Sequence, residues 1–319
     1  MKKEKSGMES RTLFTRPLTM GLLAVLCCAL WGSAFPGIKI GYRLFGISSE
    51  DTGSVILFAG LRFALAGVMV IIAGSMLQKR KLIPEKRDWK KILKLCSLQT
   101  VLQYFFFYIG LAHASGVKSA IITGSNSLLT ILIASLIFRQ ERLTLAKSVG
   151  CLLGFLGVAA ANMTGEGMDL SVSFSGEGCI LLASLSYSFS SVLIKRYSAD
   201  TDPVLLSGWQ FLVGGFILAG GGLIMGGNIG HAALPALSML LYLGFLSAAA
   251  YTIWGVLLKY NPVSKVSIYG FSNPVVGVLL SAILLGEGGQ AFSLQNVAAL
   301  FLVSAGIYTV NRFADEGKS

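Results

Sequence analysis

The fold is decided by residues 54–91, which read SVILFAGLRFALAGVMVIIAGSMLQKRKLIPEKRDWKK. The first part, Ser54–Leu77, is apolar except for one arginine, and the part that follows carries seven Lys and Arg residues. About 20 apolar residues in a helix span the hydrocarbon core of a bilayer, and loops rich in Lys and Arg stay on the cytoplasmic side. The stretch therefore predicts a spanning helix that enters from outside and ends at a cytoplasmic loop.

This alternation of apolar windows and short polar loops continues along the whole chain. Hydrophobic residues make up 54% of the 319 residues and charged residues only 13%, too few to cover the surface of a soluble domain of this size. The windows are also too long for barrel strands. The sequence therefore predicts an all-α integral membrane protein with ten transmembrane helices. The windows are Met20–Tyr42, Ser54–Leu77, Ile92–Ala112, Val117–Phe138, Leu145–Met163, Gly176–Ile194, Val204–Met225, Leu237–Leu258, Val266–Leu285 and Gln295–Val310.

The distribution of basic residues predicts the topology. If the N-terminus is inside, 21 of the 26 Lys and Arg residues lie in cytoplasmic segments, and only Arg43 and Lys118 lie outside. We therefore expect a multi-pass protein of the plasma (inner) membrane with both termini cytoplasmic. The net charge of +11 has the same origin, so it does not indicate a nucleic-acid partner. The basic start followed by an apolar run resembles a signal peptide, but no clean cleavage site follows, and it is interpreted as the first spanning helix.

The two halves of the chain repeat one another. A shift of 148 residues superposes Gly60, Phe63 and Gly67 on Gly208, Phe211 and Gly215, and a shift of 146 superposes Glu141 on Glu287. Because each copy holds five helices, an odd number, the second copy is inverted in the membrane. Inverted repeats are typical of transporters that expose a midplane site to each side in turn. The expected organisation is a cytoplasmic segment at 1–17, a first repeat at 18–163, an extracytoplasmic linker at 164–175, a second repeat at 176–312 and a cytoplasmic tail at 313–319.

Several motifs, in order along the chain, resemble the EamA type of the drug/metabolite transporter superfamily. They are Trp31-Gly32-Ser33, Arg62-Phe63, the segment LIFRQE at 136–141, Asn273-Pro274-Val275-Val276 and Gly286-Glu287. The resemblance covers about Leu18 to Arg312 and implies two EamA-like repeats that form a carrier in the plasma membrane, often an exporter of amino acids or related metabolites. One departure is the pair Gly288-Gly289 after Glu287, which makes a looser connection than the one after Glu141.

Arg62 is the most informative single residue of the sequence. It lies inside the second window, where an arginine costs roughly 2.5–3.5 kcal/mol, so it should face a partner or a water-filled space. One interpretation is a bidentate clamp on a substrate carboxylate or phosphate. The alternative is a structural bond to helix-end carbonyl groups or a side chain that extends to the outer interface.

Polar and aromatic side chains in the windows predict a midplane binding pathway of neutral hydrogen-bonding groups and aromatic walls. Helices 4 and 9 carry matching polar interruptions, which in transporters point to the binding site, and Pro274 frees a backbone carbonyl there. For each residue, packing between helices is the alternative. The predicted pathway residues besides Arg62 are Trp31, Gln99, Gln103, Tyr104, Asn126, Tyr187, Tyr251, Trp254, Tyr269 and Asn273.

Four charged residues near the helix ends have a predicted gating or structural role. Lys39 and Lys195 correspond under the repeat and would sit at opposite mouths of the pathway, where they would attract anions. The alternative for Lys39 is a side chain that extends to the outer interface. Glu141 and Glu287 close helices 4 and 9, where a carboxylate opposes the helix dipole, so each is expected to cap the next helix along the chain. A role in proton coupling is the alternative, although no acidic residue lies deep inside a window.

The sequence therefore predicts a secondary transporter that moves a small organic metabolite, an amino acid or related compound, outwards by alternating access. The alternatives are a flippase for a lipid-linked substrate and, less favoured, a membrane enzyme, for which no cluster of nucleophiles or metal ligands appears. No metal or cofactor is expected. The partners are the lipid bilayer and a small-molecule substrate, and a homodimer through the glycine-rich faces stays open.

Overall fold

The computed structural model describes residues 11–114, 119, 122–162, 173–230, 233–273, 275–276 and 294–313. These residues are helical with short connections. The helices are α1 (Pro17–Phe45), α2 (Thr52–Leu77), α3 (Lys86–Leu95, a π-helical turn at Cys96–Leu102, and Gln103–His113), α4 (Asn126–Leu132 and a π-helical turn at Ile133–Ile137), α5 (Leu145–Asn162), α6 (a π-helical turn at Phe174–Gly178, and Cys179–Tyr197), α7 (Pro203–Ile224), α8 (Leu234–Tyr260), α9 (Val263–Ser267 and a 3-10 turn at Ile268–Phe271) and α10 (Leu294–Phe313).

The described helices confirm an all-α membrane fold. Six of them, α1, α2, α3, α6, α7 and α8, are long and apolar enough to cross a bilayer. Three shorter apolar helices lie at Ile122–Ile137, Leu145–Ala160 and Val297–Phe313. The structure describes only the beginning of α9. The count of ten crossings therefore stays a prediction.

Local sequence signals set the helix boundaries. Asp51 caps α2, because its Oδ1 accepts a hydrogen bond from the backbone N–H of Ser54 at 3.0 Å. The hydroxyl and the backbone N–H of Ser54 together hold the pKa of the Asp51 carboxyl below its ordinary value. Asp202 caps α7 in the same way, with Pro203 in the first turn. Helix α1 ends at Gly46, whose φ of 65° is a left-handed conformation that favours glycine.

The helices pack in pairs that the predicted repeat relates to one another. The two most extensive contacts in the described part of the chain join α2 to α7 and α5 to α10. Helix α1 packs on α8 and α3 packs on α6, while α4 contacts the start of α9. The predicted repeat relates α1 to α6, α2 to α7, α3 to α8, α4 to α9 and α5 to α10. Applied to these contacts, it converts the α1–α8 pair into the α6–α3 pair and leaves the other three pairs unchanged. A two-fold relation between five-helix repeats would produce this pattern.

Glycines at the α2–α7 crossing show the same two-fold relation at the level of atoms. A Cβ added at Gly67 would lie 2.7 Å from the carbonyl oxygen of Gly208. A Cβ added at Gly215 would lie 2.8 Å from the carbonyl oxygen of Gly60. The shift of 148 residues converts the first contact into the second. Both distances are too short for a real Cβ, so glycine is required at both positions for the backbones to approach.

The crossing of α5 and α10 repeats this arrangement. A Cβ at Gly157 would lie 2.9 Å from the carbonyl oxygen of Ala299, and one at Gly306 would lie 2.6 Å from that of Gly150. A shift of 149 residues converts one contact into the other. These glycine faces are therefore occupied by helices of the same chain.

Most loops that the sequence placed on the cytoplasmic side meet at one end of the bundle, which we call the basic end. Lys91 Nζ donates to Asp200 at 2.6 Å and Arg80 pairs with Asp202, so the α2–α3 loop is joined to the α6–α7 loop. The amide of Asn261 donates to the carbonyl oxygen of Phe14 at 3.0 Å. The hydrogen bond from Lys91 holds the pKa of Asp200 below its ordinary value. At the opposite end, the backbone N–H of Asn228 donates to Ser54 Oγ at 2.9 Å.

Candidate functional site

Six aromatic residues from five helices form one connected group, which we call the aromatic cluster. The ring of Trp31 on α1 meets the rings of Tyr251 and Trp254 on α8 edge-on, with centroids 5.1 and 5.0 Å apart. Helices α2, α3 and α7 contribute one ring each to the cluster, and Tyr187 of α6 packs against it. Its members are Trp31, Phe63, Tyr104, Phe211, Tyr251 and Trp254. The sequence had predicted four of them as pathway residues.

Two contacts inside the cluster join the two repeats. Phe63 stacks on Phe211 with centroids 5.3 Å apart, and these residues are counterparts under the shift of 148. The hydroxyl of Tyr104 on α3 lies 2.8 Å from that of Tyr251 on α8, the helix that corresponds to α3 in the second repeat. A residue that touches its own counterpart lies close to the two-fold axis. The cluster is therefore at the interface between the repeats.

Arg62 projects into the edge of this cluster. Its side chain is 2% exposed, and the guanidinium carbon lies 4.4 Å from the centroid of Phe63 and 5.4 Å from that of Tyr104. Tyr42, Tyr108 and Tyr251 lie in its vicinity. No carboxylate of the described residues lies within 4.0 Å of it. This burial argues against a side chain extended to the interface, and the guanidinium is held by aromatic faces.

Three N–H donors at the cluster have no hydrogen-bond acceptor among the described residues. They are Nε of Arg62 and the indole Nε1 of Trp31 and of Trp254. Arginine and tryptophan side chains can donate but cannot accept hydrogen bonds. A buried donor without a partner costs about 1–3 kcal/mol, so the site is complementary to a molecule that brings acceptor atoms.

Gln99 differs from the prediction because its side chain belongs to a closed structural network. The Nε2 of Gln210 donates to Gln99 Oε1 at 2.9 Å, and Thr100 Oγ1 donates to Gln210 Oε1 at 2.8 Å. Gln210 is the repeat counterpart of Arg62. The network lies beside the π-helical turn of α3, where the carbonyl oxygen of Leu98 accepts from Ser186 Oγ at 2.7 Å. The network stabilises the contact of α3 with α7 and engages the side-chain oxygen of Gln99.

Three other predicted pathway residues lie near the cluster or on α4 and α9. Gln103 is half-buried on α3, one residue from Tyr104. The carbonyl oxygen of Asn126 accepts from Ser188 Oγ at 3.2 Å and thereby joins α4 to α6. The side-chain Oδ1 atoms of Asn126 and Asn273 have no donor among the described residues. These two amides supply neutral acceptors.

Tyr269, a predicted pathway residue, makes no ring contact with the aromatic cluster among the described residues, and its role in the pathway stays a prediction. Its hydroxyl lies 3.0 Å from where a Cβ would stand on Gly21, and its carbonyl oxygen accepts from Cys28 Sγ at 3.2 Å. The ring therefore fills a gap left by a glycine near the start of α1. Pro274 and Glu287 lie outside the described residues.

Glu141 caps a different helix from the one the sequence indicated. Its Oε1 accepts from the backbone N–H of Ser264 at 3.0 Å, and its Oε2 accepts from Ser264 Oγ and, at 2.7 Å, from Lys147 Nζ. The carboxylate thus caps the start of α9 in the other repeat, and the positive end of that helix offsets the unfavourable position of Glu141 after α4. The sequence did not indicate Ser264 as the partner of Glu141, because the two residues are far apart along the chain.

The two lysines that correspond in the repeats have different surroundings. Lys39 is exposed on α1. Lys195 donates to the carbonyl oxygens of Lys259 at 3.1 Å and of Asn261 at 2.8 Å, at the end of α8. It also interacts electrostatically with Glu141. The contacts of Glu141, Lys147, Lys195, Asn261 and Ser264 form one buried polar group at the basic end, which we call the ionic latch.

The described helices define the class, that of helical membrane proteins, and comparison with known proteins specifies the family. The chain matches the EamA-like transporter family over residues 18–163 and 174–312. It therefore belongs to the EamA-like transporter family and is a multi-pass membrane protein.

Relatives with sequences similar to this chain carry transporter names. An uncharacterized transporter of Archaeoglobus fulgidus is 27% identical, over 91% of this chain and 98% of its own length. A "probable amino-acid metabolite efflux pump" of Salmonella typhimurium is 26% identical, over 90% of this chain and 93% of its own. A crystal structure with a TM-score of 0.76 and 18% identity covers 93% of this chain and 98% of that one, which shows the shared fold.

Proposed function

We propose that this protein is a secondary transporter that exports a small organic metabolite, an amino acid or a related compound, across the plasma membrane by alternating access. The observation that carries the proposal is the aromatic cluster on the interface between the repeats, with three unpartnered N–H donors. A site on the axis of two related halves can open to either side when the halves rock against each other.

The basic end is proposed to face the cytoplasm. The loops that meet there hold most of the Lys and Arg residues of the described chain, and short cytoplasmic loops carry such an excess. Both termini then lie inside. The ionic latch sits at this end and joins α4 of the first repeat to α9 of the second.

The ionic latch is proposed as the cytoplasmic gate. The contact of Glu141 with Ser264 crosses between the repeats, which an inward opening would separate. Lys195, bonded to Asn261 within the second repeat, supplies a positive charge beside Glu141. The side chains of Glu141 and Lys147 are 9% and 6% exposed, so opening would also hydrate a buried ion pair. The latch therefore favours the conformation closed at the basic end.

The amino-acid class of substrate rests on Arg62, the aromatic rings and the amides of Asn126 and Asn273 together. These groups match a carboxylate, an apolar body and a neutral polar group. The name of the Salmonella relative supports the same class and the outward direction, and at 26% identity it leaves the individual substrate open.

Counterflow in proteoliposomes tests the proposal. Vesicles with purified protein are loaded with unlabelled compound, and entry of the labelled compound is followed for a panel of amino acids and their derivatives. A carrier shows faster entry when unlabelled compound is present inside, whereas a channel does not. No flux of any member by correctly folded protein would contradict the proposal.

A further inference from the structure

The charge distribution along the spanning segments has a single sign. None of the 15 Asp and Glu residues lies in the middle of a predicted span, and Glu177, which lies inside one, is in its first turn. Among the described basic residues within spans, Lys39 and Lys94 are exposed. Lys147 is buried near the start of its span, where it pairs with Glu141, and Arg62 is the buried one at the aromatic cluster. The one formal charge at the aromatic cluster is therefore positive.

The hydrogen-bonding groups at the cluster have the same bias. The unpartnered atoms of Arg62, Trp31 and Trp254 are all donors. A carboxylate supplies about four acceptor positions and one negative charge, and it pairs with a guanidinium in a geometry that few other groups match. The bound carboxylate would neutralise Arg62 in a site where the low dielectric strengthens the pairing.

A free ammonium group has no corresponding partner. Among the predicted pathway residues, the amide oxygens that have no donor in the described structure are those of Gln103, Asn126 and Asn273. They can bind an N–H group but cannot neutralise a cation. A bound zwitterion would leave one uncompensated positive charge, and a charge buried in a membrane protein is costly unless it is paired.

We propose, on the basis of the transport function above, that the substrate is an organic monoanion with an aromatic or flat apolar body, and that a zwitterionic amino acid is discriminated against. An amino acid whose amine is acylated has this chemistry, because its neutral amide N–H suits the asparagine oxygens and its carboxylate suits Arg62.

The same charge assignment specifies the driving force. A monoanion that leaves a cell with a negative interior moves down the membrane potential, so efflux needs no coupled ion. The absence of an acidic residue in the middle of any span removes the usual carriers of a coupled proton. Export is therefore electrogenic and independent of a pH gradient.

Three compounds that share one aromatic body test the substrate class. N-acetylphenylalanine is an anion, phenylalanine a zwitterion and phenylalaninamide a cation. In proteoliposome counterflow, with protein-free vesicles as the control, the anion should move at least about tenfold faster than the other two, in line with the cost of one buried charge. Equal or faster flux of phenylalanine would overturn the anion inference and leave the transporter proposal standing. No flux of any of the three, with flux of another member of the amino-acid panel, would overturn the anion inference alone, whereas no flux of the whole panel would overturn both.

A potassium diffusion potential tests the driving force. With valinomycin and a tenfold potassium gradient, N-acetylphenylalanine should accumulate about tenfold on the positive side, and phenylalanine should not respond. Accumulation that follows an imposed pH gradient and ignores the potential would overturn electrogenic export.

Arg62 variants connect the selectivity to the residue. Arg62→Gln should lower N-acetylphenylalanine flux by at least about tenfold and remove the preference over phenylalanine. Arg62→Lys keeps the charge and should retain the preference at a lower rate. The melting midpoint in detergent, measured alongside, identifies a variant that has failed to fold. A folded Arg62→Gln protein with unchanged preference would overturn the assignment.

Discussion

The hydroxyl of Tyr104 on α3 lies 2.8 Å from the hydroxyl of Tyr251 on α8, and the predicted repeat relates these two helices. This bond therefore joins the halves of the molecule at the interface between the repeats. Trp31 packs on Tyr251 and Arg62 on Tyr104, so the same bond connects the indole donors with the guanidinium.

The contribution of this bond can be measured with a double-mutant cycle. Tyr104→Phe and Tyr251→Phe each leave one buried hydroxyl without its partner, whereas the double variant removes both. We expect a coupling energy of about 1 kcal/mol in unfolding measurements, because removing one partner of a buried bond costs more than removing both. Additive effects of the two substitutions would show that the hydroxyls do not interact.

Substitution of Gly215 tests the α2–α7 crossing. A Cβ at this position would lie 2.2 Å from the backbone nitrogen of Ala64, so Gly215→Ala should destabilise the protein by about 1–3 kcal/mol and lower its melting midpoint in detergent. Gly220→Ala is the matched control, because nothing lies within 4 Å of a Cβ there. The control should be neutral or slightly stabilising, since alanine favours a helix more than glycine does. Equal effects at the two positions would contradict the close crossing.

Removal of the Glu141 carboxylate should be strongly destabilising. Glu141→Ala leaves Lys147 buried without its partner and the start of α9 without its cap, and breaking a buried ion pair costs about 3–5 kcal/mol. Arg87→Ala, which removes one member of an exposed pair, should cost no more than about 1 kcal/mol. The Glu141→Ala, Lys147→Ala double variant should be less destabilised than the sum of its single variants predicts. Unfolding free energies that add would exclude the pairing.

The folded protein should lose stability in acid because the Asp51 carboxylate becomes protonated. Its pKa is lower in the folded protein than the ordinary 3.8, because the Ser54 hydroxyl and backbone N–H bind the carboxylate form. The stabilisation is therefore present above the ordinary pKa and is lost as the pH falls through the lower, folded-state value. Asp51→Asn should lower the melting midpoint near neutral pH and reduce the loss below pH 3.8. An unchanged acid profile in this variant would assign the effect to other carboxylates.

Much of the fold could be predicted from the sequence, because lipid imposes a strong pattern on it. Apolar runs and the positions of Lys and Arg report directly on spans and sides. Helix boundaries that polar side chains set were harder to predict from the sequence. Helix α3 begins at Lys86, six residues before the predicted Ile92, because Glu85 and Asp88 form a capping box whose charged turn lowers the hydropathy.

The site was predicted less completely because its contacts join residues far apart in the chain. The shift that superposes Phe63 on Phe211 was visible, but the sequence did not indicate that these counterparts meet at the axis. The polarity of Gln99 and Glu141 was likewise visible, while their partners, Gln210 and Ser264, became apparent only from the packing of α3 on α7 and of α4 on α9.

The substrate-free protein should gain stability when Arg62 is removed. The buried guanidinium faces aromatic rings and no described carboxylate, so it carries a desolvation cost that a substrate would offset. Arg62→Met keeps a side chain of similar length over Phe63 and should raise the stability by about 1 kcal/mol or more, while transport falls by at least about tenfold. Arg196→Met changes an exposed arginine and should alter neither quantity. Melting midpoints and counterflow rates of both variants distinguish a binding role of Arg62 from a structural one. A lower midpoint in Arg62→Met would show that Arg62 holds the helices together. A higher midpoint with lost transport would show that Arg62 is kept for its ligand at a cost in stability.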